Sequence, residues 1–208
     1  DTPTGGVSVR DIASWMVGRS VDAKHFERPA KAIGGEILAF DHLWVDMPGE
    51  TVRDINLSVR KGEILGIGGL AGQGKLGIPN GVMGLYAAGG RVLLNGKEVP
   101  LNDPRAALEL GMAFVSEDRR GVGLLLDESL DWNIGFTAMQ IRGDYLKSYL
   151  GGLVKLRDEQ ALDKLAKEYI DLLSIKCTGP RQFAKELSGG NQQKICLAKA
   201  FALKPELL

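Results

Sequence analysis

The stretch Gly69-Leu70-Ala71-Gly72-Gln73-Gly74-Lys75 constrains this chain more than any other. It fits the first seven positions of G-x-x-x-x-G-K-[ST], and it follows Glu63 to Gly68, a run that reads as a strand after the Lys61-Gly62 turn. Glycines at this spacing let backbone N–H groups turn inward and cradle phosphate oxygens. A helix starting behind the loop would aim its positive end at the same anion. Lys75 would reach the terminal phosphates. A strand, a phosphate loop and a helix in that order predict an α/β fold built on a largely parallel sheet.

The eighth position departs from the pattern. Leu76 stands where a Ser or Thr would hold Mg²⁺, and leucine has no oxygen to offer. Losing one ligand or hydrogen bond to a charged group costs about 1.5–3 kcal/mol. That corresponds to roughly tenfold to a hundredfold in affinity. The helix behind the loop also carries Gly77, Pro79 and Gly81 within its first two turns. Interior Gly and Pro disfavour helix by about 1 and 3 kcal/mol. This helix is expected to start late or to be distorted, and Mg²⁺ to bind weakly or not at all.

Around the loop the chain reads in segments. Ser8 to Val17 has apolar residues at helical spacing. The polar stretch with Pro29 and Gly34-Gly35 reads as a linker. We therefore expect a helix ending a preceding domain over 1–19, a linker over 20–35 and the main domain over 36–208. Ile37 to Phe40 and Val52 to Val59 read as strands joined near Pro48-Gly49, and Arg91 to Leu94 as a strand closing at Asn95-Gly96. Asp103-Pro104 opens a helix that Gly111 closes, and Met112 to Ser116 reads as a buried strand. Helices are expected over Ser129–Met139, Asp144–Leu150, Arg157–Leu173 and Gly189–Leu203, giving a helical subdomain over 118–187.

The chain has 26 basic and 26 acidic residues, a balance that counts against a nucleic-acid partner. No apolar run is long enough to span a bilayer, and no charged-then-apolar leader opens the sequence, which begins at Asp1 and is expected to be a fragment. Cys177 and Cys196 lack metal-type spacing and are expected to be buried thiols. His25 and His42 have no partner constellation in the sequence.

A second motif narrows the reading. Leu187-Ser188-Gly189-Gly190-Asn191-Gln192-Gln193-Lys194 pairs a capping serine with two glycines at the start of a helix. A hydroxyl and free N–H groups there form an anion site. With the phosphate loop upstream, it resembles the signature motif of ATP-binding-cassette (ABC) ATPases. Gly111 to Arg120 lies where that family has its Q-loop, with Glu117 in the position usually held by Gln and Asp118 beside it. Glu117-Asp118-Arg119-Arg120 and the Gly-Gly-Asn-Gln-Gln-Lys stretch resemble the second cassette of tandem ATPase subunits serving importers of simple sugars, and the opening Met16-Val17-Gly18-Arg19 resembles the end of the first cassette in those subunits. Nucleoside importers are close relatives.

The resemblance implies a cassette fold with a mainly parallel core sheet, an antiparallel β subdomain and a helical subdomain. It implies ATP as ligand, held by Gly69, Gly72, Gln73, Gly74, Lys75 and Leu76. It implies that Ser188, Gly189, Gly190, Asn191 and Gln192 face the ATP of a partner, either the first cassette of the same polypeptide or a second copy. It implies coupling to transmembrane permease subunits through Glu117 and Asp118, at the inner face of the membrane. Trp44 is available to stack on adenine, with ordinary packing as its alternative. The Mg²⁺-coordinating Asp, the catalytic Glu and the switch His lie downstream of Pro205 in the family, so the 208 residues are expected to be inactive alone. Two roles stay open: a signature donor with a degenerate site of its own, or a competent ATPase cassette in the full-length protein. A soluble ABC protein acting on DNA or the ribosome fits less well with the balanced charge.

Overall fold

The computed structural model describes residues 7–17 and 32–208. The chain divides into two units, Asp1–Ile33 and Gly34–Leu208. In the first, α1 (Val9–Val17) begins with a reciprocal cap. Asp11 N donates to Ser8 Oγ, and Ser8 N donates to the Asp11 carboxylate. The expected linker over 20–35 falls mostly outside the described residues.

The second unit opens with β1 (Glu36–Val45) and β2 (Val52–Arg60), then α2 (Gly77–Val82). Next come β3 (Ala88–Leu94), β4 (Lys97–Glu98) and α3 (Pro104–Glu109). The chain ends with α4 (Leu130–Arg142), β5 (Leu146–Tyr149), β6 (Val154–Arg157), α5 (Glu159–Leu172) and α6 (Gly189–Ala202). One sheet has the order β2-β1-β3-β4 and is antiparallel throughout. Asn95 and Gly96 both take positive φ, the geometry of a two-residue hairpin turn. Leu43, Val45 and Val92 are fully buried beneath the sheet, with Val82 and Ala107 from α2 and α3 packed against them. Burying each such aliphatic side chain contributes about 1.5–3 kcal/mol. A second core joins α4, α5 and α6 through Leu130, Ile134, Ala166 and Ile195.

Caps fix the helix ends. Asp103 accepts from the amides of Arg105 and Ala106, with Pro104 in the first turn, and Gly111 closes the segment at φ +91°. Arg142 donates to the Leu203 and Ala202 carbonyls at 2.6 and 2.9 Å, which anchors the far end of α6.

Three expectations need correction. The expected strands at Glu63–Gly68 and Met112–Ser116 are not formed as such. The first is unpaired, with Ile64 70% exposed, and the second makes one isolated parallel bridge, Met112 to Leu207. A strand is defined by its neighbours, and among the described residues these segments lack the neighbours a parallel ladder requires. Next, Asp144–Leu150 is not a helix. Leu146–Tyr149 pairs with Val154–Arg157 as a hairpin, turning through Gly151 and Gly152, both at positive φ. The Gly pair between two alternating tetrads was the missed signal. Lastly, the helical subdomain over 118–187 therefore includes a two-stranded sheet.

Candidate functional site

The phosphate loop is an exposed turn whose backbone reverses at Gly72 (φ +81°) and Gly74 (φ +84°). Alternation of this kind points successive N–H groups to one side and makes an anion-binding concavity. Its own side chains partly close it. Gln73 Oε1 accepts from Leu70 N at 3.1 Å, and Lys75 Nζ donates to Leu70 O at 3.0 Å. Gly69 lies under the Gln73 amide.

Glu50 was not identified from the sequence. It sits at the β1–β2 turn and is buried, with its carboxylate on the loop. Gly72 N donates to Oε1 at 2.8 Å and Leu76 N to Oε2 at 3.4 Å. The Gly72 hydrogen bond, then those from Leu76 and Gly74 and the nearby Lys75 charge, hold this carboxyl below the usual carboxylate range against the opposing effect of burial. The signal available in the sequence was slight: a single acidic residue after Pro48-Gly49.

The helix behind the loop, α2, has six residues, with Leu76 as its uncapped N-terminal residue and Pro79 in its first turn. It is pressed against the sheet, since a Cβ on Gly77 would stand 2.1 Å from Glu50 O and one on Gly81 would meet Val45 at 2.3 Å. Leu76 lines a cleft of about 420 Å³ together with Phe114, Val115, Glu117, Arg119 and Leu197. The loop amides fit an anion, as the Glu50 carboxylate shows. At position 76 itself the side chain is aliphatic and supplies no oxygen to Mg²⁺, while Asn80, Ser116, Glu117 and Gln193 line the same cleft.

The signature segment is built differently. Ser188 is the exposed N-cap residue of α6, a helix of 14 residues. Its Oγ accepts from Asn191 Nδ2 at 2.9 Å, and Asn191 Oδ1 in turn accepts from Lys176 N. Gly190 is exposed, with nothing within 4 Å of where a Cβ would stand. Gln192 does not face solvent. It is buried and donates to Ala184 O at 3.1 Å, so it holds the preceding turn rather than a ligand.

Arg119 was also missed by the motif reading. A Cβ on Gly189 would stand 2.9 Å from its Nη2, which places the guanidinium beside the start of α6. The segment 119–123 forms a π turn capped by Asp118, whose carboxylate accepts from Gly121 N. Asp118 is therefore a capping residue, while Glu117 is exposed at the cleft. Lys199 Nζ donates to Gly123 O at 2.6 Å and pins this turn to α6, and burial lowers the Lys199 pKa. Cys196 lies beneath Gly123, buried, with its thiol pushed up by that burial.

Trp44 lies across Gly89 of β3, its register partner, and remains 47% exposed. An aromatic ring covering a strand glycine is a packing arrangement. Its open side faces a hollow bounded by Thr51 and Asp54, separate from the 420 Å³ cleft. The structure thus gathers Leu76, Glu117 and Arg119 around one cleft, and leaves Trp44 at a separate hollow.

Residues 52–208 match the family described as ABC transporter. The ribose import ATP-binding protein RbsA of Caldanaerobacter subterraneus subsp. tengcongensis is 35% identical over 95% of this chain and 38% of its own length. The protein of the same name from Halalkalibacterium halodurans is 36% identical over 97% of this chain and 38% of its own. The chain thus spans little more than a third of these relatives. Among solved structures, the ATP-binding cassette MJ0796 bound to ADP and Pi aligns with a TM-score of 0.62 at 20% identity, over 81% of this chain and 71% of that one. The ATP-binding cassette MJ1267 aligns with a TM-score of 0.58 at 23% identity, over 82% and 66%. A glycine loop leading into α2, a helix with Ser188 at its N-cap position and a family match across both make this chain a member of the ABC transporter family, an ATP-binding domain close to the sugar-import ATPases.

Proposed function

We propose that this domain couples ATP to the import of a simple sugar by completing the ATP site of a partner cassette, while its own nucleotide site is weak. The observation that carries the reading is the start of α6. Ser188 and Gly190 are open to solvent there, at the positive end of a well-formed helix, with the Arg119 guanidinium alongside. This is an anion site facing outward, suited to a γ-phosphate brought by another domain. The phosphate loop, by contrast, lacks the hydroxyl at Leu76 that would hold Mg²⁺.

The sugar assignment is supported by the relatives, named for ribose import, and by one named for ribose, galactose or methyl galactoside import in Agrobacterium fabrum. The partners that fit are a second cassette and transmembrane permease subunits, with this domain peripheral at the inner membrane face. Among the described residues no helix is long and apolar enough to cross a membrane. Glu117, exposed at the cleft beside the pinned turn, is the residue we assign to that coupling surface.

The test is ATP turnover by the assembled importer carrying Ser188→Ala or Lys75→Ala. The reading expects the Ser188 variant to lose more activity, by about tenfold or more if one transition-state hydrogen bond is removed. Equal losses would mean that this domain uses both halves alike.

A further inference from the structure

Glu50 is an acidic residue at a turn tip, yet it is only 8% exposed. Carboxylates are seldom buried without partners. Here the partners are the amides of Gly72 and Leu76, at 2.8 and 3.4 Å, two of the inward N–H groups of the phosphate loop. We propose that Glu50 is the resident anion of this loop, so that a phosphate ligand enters only by displacing its carboxylate. The proposal rests on reading the loop as a phosphate site.

Three features support it. The carboxylate sits on the donors a phosphate would use, and two anions cannot share them without strong repulsion. The backbone beneath is tightly packed, with Gly74 and Gly77 lying directly against the carbonyls of Thr51 and Glu50 and room for no Cβ. Displacement then goes by rotation of the Glu50 side chain, the least packed route. Lys75, the loop's cation, is meanwhile turned to its own backbone at Leu70 O, so it too must swing to meet a ligand. Apparent affinity is the intrinsic affinity scaled by the fraction of molecules with Glu50 released. The loop would accept a ligand with several phosphate charges and exclude weaker anions, which compete poorly with a tethered carboxylate.

The test titrates the whole chain with inorganic pyrophosphate by calorimetry, comparing wild type with Glu50→Ala and Glu50→Gln. The expected result is binding at least about tenfold tighter in Glu50→Ala, with Lys75→Ala in that background reversing the gain. Equal affinity in wild type and Glu50→Ala overturns the proposal while leaving the phosphate-site reading intact. If neither folded variant nor wild type binds pyrophosphate, that reading fails and this inference with it. Should Glu50→Ala misfold, Glu50→Gln keeps the shape and an acceptor oxygen and removes the charge. Carboxyl NMR of Glu50 in the wild type gives an independent readout. Its resonance must move as pyrophosphate saturates the chain, and a fixed resonance overturns the proposal.

Discussion

The phosphate loop and the signature loop begin from the same ingredients, glycines at the start of a helix, and reach opposite conditions. The first is followed by a six-residue helix that carries Pro79 and presses Gly77 and Gly81 onto the sheet. Its amides are engaged by Glu50 and its lysine by Leu70 O. The second starts a 14-residue helix anchored at its far end by Arg142, with Ser188 and Gly190 exposed. What separates them is what lies behind the loop. A helix that is long and anchored at its far end can leave its first turn open, because stability comes from elsewhere. The short one has amides at its start held by the carboxylate of Glu50, from 22 and 26 residues away.

The largest expected effect that would disturb this contrast is at Leu76. Replacing it as Leu76→Ser returns a hydroxyl to the metal position, and ATP affinity measured with Mg²⁺ should rise about tenfold to a hundredfold. Little change would favour a loop that already works by other ligands. A pair of glycine substitutions sharpens the comparison in stability. Gly77→Ala drives a methyl into Glu50 O and Val52, and urea unfolding should show a loss of about 1–3 kcal/mol. Gly190→Ala meets nothing, and helix propensity should make it neutral or stabilising by up to about 1 kcal/mol. Similar losses at both sites would erase the structural distinction between the two loops.

Much of this was legible in the sequence, and the rest was hidden for identifiable reasons. The Asp103-Pro104 cap, the Asn95-Gly96 hairpin and the helix expected over Arg157–Leu173 announce themselves through local chemistry, and the structure has them, the last as α5. The pairing of Glu63–Gly68 depends on neighbouring strands, which no local pattern can supply. The Leu146–Arg157 hairpin was concealed because Asp144 to Leu150 was read without the Gly151-Gly152 turn that follows it. Glu50 and Arg119 were missed because each acts on a loop distant in the chain, Glu50 from 22 and 26 residues away. That Gln192 is buried was not legible, because a motif does not tell which of its residues face inward.

The smallest expected effect lies between exposed side chains of β1 and β2. His42, at a bulge in β1, bonds Asp54 through Nδ1 at 2.5 Å, and that contact, with the charges of Asp54 and then Asp41, raises its pKa. The bonus this pair gives to folding is present below the ordinary histidine pKa and is lost as pH rises through the raised one. NMR titration of His42 should show a midpoint above that of free histidine, and His42→Asn should abolish only a slight pH dependence of stability, since both groups are exposed. A midpoint at or below the free value would show that Asp54 does not hold the ring in solution.

The contrast between the loops is tested most directly by calorimetric titration of the folded chain with ATP, with and without Mg²⁺. The account predicts binding that is millimolar or weaker and indifferent to Mg²⁺, because Leu76 offers the metal no ligand and Glu50 holds the loop amides. Micromolar binding enhanced by Mg²⁺ would contradict it.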